Sequence, residues 1–61
     1  MPEVIVNLAT GRTQEQKDKL LEGIFQVVKD VTGVPDEYIV VSLNETPKEH
    51  KSRGGVRYDK L

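Results

Sequence analysis

The sequence predicts an α/β fold: a single βαβ unit with two parallel strands and a crossover helix, followed by a C-terminal hairpin and assembled into an oligomer. Three features predict it. Two short runs rich in β-branched residues flank a longer segment whose apolar residues recur at three- and four-residue steps. That segment opens on a capping-box sequence, and a Gly-Gly pair interrupts the polar tail.

The first run covers residues 2–8. Alternation places Val4, Val6 and Leu8 on one face and Glu3, Ile5 and Asn7 on the other, so both faces carry apolar side chains. Ala9-Thr10-Gly11-Arg12 breaks the alternation. Thr13-Gln14-Glu15-Gln16 then has the T-x-x-Q form in which a threonine caps a helix starting at Gln14. Leu20, Leu21, Ile24, Phe25, Val27, Val28 and Val31 define one wide apolar stripe, with Lys17, Asp18, Lys19, Glu22 and Lys29 mostly outside it. Gly33 suits the left-handed position that ends a helix, and Pro35 soon after cannot continue one. Pro35-Asp36-Glu37 reads as a turn and residues 38–44 as the second strand, which Thr46-Pro47 ends. A helix of about 19 residues at ~1.5 Å each spans about 28 Å, enough to return the chain to the end where the first strand began. The strands should therefore run parallel, joined by a right-handed crossover. Within residues 48–61, Gly54-Gly55 is the turn signal for a short hairpin.

Size decides what must hold this unit together. Read as a single domain over residues 1–61, the chain can bury only about 60% of the surface that its unfolded form exposes. It has no cysteine and one histidine, so disulfides and Cys/His metal clusters are excluded as staples. Oligomerisation is the remaining route. A two-stranded parallel sheet with one helix leaves its other face bare, so partner subunits are expected to cover Ile5, Val40 or their neighbours. A net charge of −1 with interspersed signs argues against a nucleic-acid or membrane-surface partner. The apolar runs are too short for a signal peptide or a membrane span, which places the chain in the cytoplasm.

The chemistry begins at Met1-Pro2. Removal of Met1 would turn the Pro2 nitrogen into a free secondary amine on a rigid ring at the start of a strand, a possible catalytic base; as an internal residue it has neither N–H nor basicity.

Met1-Pro2, the junction Gly11-Arg12-Thr13-Gln14-Glu15-Gln16-Lys17, Pro35, Glu45, His50 and Gly54-Gly55 stand at their spacings in a very short chain. In this the sequence resembles the 4-oxalocrotonate tautomerase family over nearly its whole length. The resemblance implies a tautomerase-type βαβ fold, assembly as a homohexamer built as a trimer of dimers, and no cofactor or metal. It also implies that Pro2 is the general base and that Arg12 binds a substrate carboxylate. General chemistry is consistent with both roles. An α-amino group titrates near pH 8, and burial beside a guanidinium lowers that value because both effects disfavour the charged form. The guanidinium itself offers a planar fork for bidentate carboxylate binding, with an exposed loop arginine as the minor alternative.

Two positions depart from the family. The second-strand arginine of its best-known members would fall at Val40, and an aromatic residue lining the site would fall at Lys51; Ser52 and Arg53 also replace small or apolar residues. The departures leave a basic segment of Lys48, Lys51 and Arg53, with His50 among them. Lys51 or Arg53 is a candidate for the missing substrate-binding cation, supplied from an adjacent subunit, and a solvated loop is the plainer reading. His50 reads as a surface residue. The family's hydrating dehalogenases use an added carboxylate, and the corresponding stretch here is basic, which argues against that reaction.

The resulting expectation is a cofactor-independent enol–keto tautomerase, acting on small 2-hydroxy-2-alkenoate or 2-oxo acids such as 2-hydroxymuconate or phenylenolpyruvate. Its competitor is a tautomerase-fold oligomer with weak or promiscuous activity that serves as an assembly or binding module. Carbon–carbon addition or retro-aldol chemistry would need the same free Pro2 with a carbonyl substrate.

Overall fold

A computed structural model describes residues 2–61; Met1, on whose removal the base chemistry depends, lies outside the described residues. Strand β1 (Glu3–Ala9) leads into helix α1 (Gln14–Thr32), strand β2 (Val40–Thr46), and a hairpin of β3 (Ser52–Arg53) and β4 (Val56–Arg57). The strands β1 and β2 pair in parallel, with Val4 opposite Val41, Val6 opposite Leu43 and Leu8 opposite Glu45.

The helix begins and ends where its signals place it. Thr13 Oγ1 accepts from the Gln16 backbone N–H at 3.1 Å, and Gln16 Oε1 accepts from the Thr13 N–H at 3.1 Å, which satisfies two donors that a helix start leaves open. Gly33 takes φ 69° and donates to the Lys29 carbonyl, a left-handed stop that a side chain would strain.

The second strand starts two residues later than its composition implies. Asp36–Tyr38 forms a 3₁₀ turn in which the Tyr38 and Ile39 N–H groups donate back to Pro35 and Asp36. Val40 is thus the first residue whose N–H turns to the sheet, where it donates to the Pro2 carbonyl at 3.1 Å. The strand also runs on to Thr46, whose carbonyl accepts from the Thr10 N–H at 3.1 Å.

The apolar stripe of α1 divides in two. Leu21, Ile24, Phe25 and Val28 are half-buried towards the sheet, whereas Leu20, Val27 and Val31 stay exposed, Val31 at 80%. Lys17 stands at the head of the half-buried row 17, 21, 24, 28 instead of outside it, because 3.6 residues per turn align those positions. Between this helix and Val4 runs an open groove of about 430 Å³ lined by Leu20, Gly23, Ile24, Val27 and Val28. The other sheet face carries Ile5, 58% exposed, and Val40, with Asn44 donating to Asn7 Oδ1 at 2.9 Å between them and the C-terminal edge. Among the described residues none is fully buried. Such a subunit has no enclosed core of its own, as the short chain leads one to expect.

The hairpin turns through Gly54 (φ 61°) and Gly55 (φ 84°), the two positive φ values that a tight antiparallel connection requires. Its strands and flanking 3₁₀ turns pack chiefly on one another, as an arm beyond Pro47 in a body of 42 × 23 × 15 Å.

Candidate active site

The proline nominated as base stands at the N-terminal edge of the parallel sheet. Pro2 is half-buried, and its carbonyl is fixed by the Val40 N–H, so the ring is anchored where β1 meets the start of β2. Alternation places its ring on the sheet face of Val4 and Val6, while Glu3, opposite Val40, and Ile5 take the other face.

Arg12 stands at the other edge. It is exposed in the loop between β1 and α1, after Gly11 at φ 126° and directly before the Thr13 cap. Seven strand residues at ~3.3 Å each put it about 23 Å of strand from Pro2. The structure therefore does not bring Pro2 and Arg12 together within one subunit. A guanidinium can act on the Pro2 nitrogen only when it comes from a neighbouring chain.

The basic segment shares the Arg12 end, since it follows the C-terminal end of β2. Lys51 is half-buried and Arg53 exposed. Neither they nor Arg12 take part in the ion pairs among the described residues. Those pairs neutralise other cations: Lys29 with Asp36 at 3.3 Å, Arg57 with Asp59 at 3.0 Å and Lys17 with Glu45 at 2.9 Å. Arg12, Lys51 and Arg53, like Lys48 of the same segment, are thus left without a carboxylate partner among the described residues at the end opposite the proline.

Two contacts here lie outside the sequence-derived site. Lys17 and Glu45 join the first turn of α1 to the end of β2, with side chains only 19% and 29% exposed, and so pin the loop that carries Arg12. Their signal was periodicity: Lys17 is in phase with Leu21 and Ile24, and Glu45 with Val41 and Leu43. The second is Tyr58, whose ring lies 4.9 Å from Lys51 Nζ. Counting rungs back from Gly54-Gly55 brings positions 51 and 58 opposite each other. No group of metal-binding side chains is present among the described residues.

A half-buried proline at the start of a paired strand, in a βαβ subunit with no fully buried residue among those described, marks a small α/β subunit with unpaired cations at its far edge. The chain belongs to the tautomerase family of enzymes, whose model matches residues 2–60. It is 44% identical over 57 residues to the 2-hydroxymuconate tautomerase of Bacillus subtilis, covering 93% of this chain and 92% of that one. Among solved structures, YwhB, a homologue of 4-oxalocrotonate tautomerase, superposes with a TM-score of 0.88 at 40% identity, covering 98% of each chain. A heterohexamer 4-oxalocrotonate tautomerase from Chloroflexus aurantiacus superposes at 0.89 over 100% of this chain and 98% of that one; at 24% identity this is a likeness of fold. The tautomerase fold expected from the sequence is thus the observed one, and the chain is a tautomerase.

Proposed function

We propose that the protein is a cofactor-independent enol–keto tautomerase of small 2-hydroxy-2-alkenoate or 2-oxo acids, working as a homohexamer. With Met1 removed, neutral Pro2 takes a proton from the enol hydroxyl or the carbon chain and returns it at another carbon. Arg12 of a neighbouring subunit binds a carboxylate and stabilises the negative charge that develops in the dienolate. Lys51 or Arg53 supplies a further cation for a second carboxylate. The observation that carries this reading is the anchored start of β1. The Val40-to-Pro2 hydrogen bond fixes a half-buried ring at the start of the strand, and partial burial favours the neutral, proton-accepting amine. Support for the substrate class comes from the similarity to the Bacillus subtilis 2-hydroxymuconate tautomerase. Support for assembly comes from exposed Ile5, Val27 and Val31, which a lone subunit leaves in water.

The test couples intact mass, which reports loss of Met1, to ketonisation of 2-hydroxymuconate and phenylenolpyruvate. Processed protein should catalyse both, and Pro2→Ala should lose 10²–10⁴-fold, the range typical of a positioned base. An unchanged rate in processed Pro2→Ala would remove the proline mechanism.

A further inference from the structure

The three cations of the hairpin are held in three different ways. Arg57 is neutralised by Asp59, which accepts from Nε and Nη2 at 3.0 Å each. Arg53 is exposed beside the turn. Lys51 is restrained without being neutralised. It occupies the rung beyond the Ser52–Arg57 pair, where the Tyr58 N–H donates to its carbonyl at 2.9 Å, and its ammonium lies 4.9 Å from the centre of the Tyr58 ring. Both residues are half-buried. An aromatic face attracts an ammonium electrostatically but brings no negative charge to cancel it. It also removes rotamer freedom from a long stem before any ligand arrives.

We propose that Tyr58 is a positioning residue that presents Lys51, and not Arg53, as the cation for the second carboxylate of a dicarboxylate substrate. The inference rests on the tautomerase reading above and specifies its substrate clamp. A carboxylate docking on Lys51 meets a charge already fixed in place. A monoacid, held by Arg12 alone, gains nothing from it.

Two substitutions separate position from mere packing. Tyr58→Leu removes the ring, and Tyr58→Phe keeps its face. In Tyr58→Leu the KM for 2-hydroxymuconate should rise roughly threefold to tenfold with kcat unchanged, while the KM for phenylenolpyruvate stays at the parent value. Tyr58→Phe should match the parent on both substrates, and Tyr58→Leu should add nothing to Lys51→Ala. Equal losses on both substrates, a Phe variant as impaired as the Leu variant, or additive effects with Lys51→Ala would overturn the proposal. So would an unaltered diacid KM in Lys51→Ala, a test that stands even where Tyr58→Leu does not assemble. NMR titration with adipate, a saturated dicarboxylate, reads the clamp without turnover. If no protein turns over but adipate binding weakens in Tyr58→Leu and not in Tyr58→Phe, only the catalytic reading falls. If turnover proceeds and adipate binding ignores Tyr58, only the clamp falls.

Discussion

The two edges of the parallel sheet are built for different chemistry. At the N-terminal edge the half-buried Pro2 is tied to Val40, and Lys29, in the last turn of α1, is already paired with Asp36. At the C-terminal edge Arg12 and, beyond Pro47, Lys51 and Arg53 are free of carboxylate partners among the described residues, while the capping box and the Lys17–Glu45 pair hold the scaffold rigid. A base works best where charge is disfavoured, and anion binders work best where charge is available. In the proposed reaction, separating them along one strand allows both, provided that a second subunit lays its cationic edge against the first one's proline.

The strongest way to break this comparison is to mix subunits. Pro2→Ala and Arg12→Ala assemblies should each be impaired 10²-fold or more. Co-assembled from both kinds of chain, they should regain activity well above either alone, because some sites then pair an intact proline with an intact arginine. A mixture confirmed by native mass spectrometry that shows no recovery would mean the two edges do not meet.

Placing a charge on the bare sheet face tests the association itself. Ile5→Lys should dissociate and unfold the protein at micromolar concentration in sedimentation and circular dichroism, since an unpaired buried charge costs several kcal/mol. A folded Ile5→Lys monomer would show that the face needs no cover.

Val40→Arg sharpens the comparison by adding a cation to the proline's own edge. In a Lys51→Ala background it should restore diacid turnover by about tenfold, the scale of one charged hydrogen bond, with little effect on phenylenolpyruvate. The smallest effect is expected at the other edge. Thr13→Ala removes the cap beside Arg12 and should cost about 1 kcal/mol in thermal or urea unfolding. Its KM should rise more than its kcat falls, as the arginine's loop loosens.

Local signals carried most of the fold. The helix ends were legible because the Thr13–Gln16 box and Gly33 act within four residues of themselves, and the hairpin because Gly54-Gly55 sets its own turn. The start of β2 was not, because Tyr38 and Ile39 have strand-like side chains but spend their N–H groups on a 3₁₀ turn. The division of the helix stripe was hidden for a different reason. Leu20, Val27 and Val31 are as apolar as Leu21 and Val28, and composition does not say whether a neighbour is the chain's own sheet or another subunit. At the site, Pro2 and Arg12 were legible as residue types through their resemblance to a family, yet their separation required a strand direction. Tyr58 required a rung count.

With no fully buried residue among those described, the proposed homohexamer would fold and associate in a single reaction. For a chain whose core exists only between copies, dilution acts as a denaturant. Each tenfold fall in concentration removes about 1 kcal/mol of stability per subunit by mass action. In the proposed assembly, the amount of this small protein that a cell makes would help to set what fraction of it is structured enough to turn over substrate.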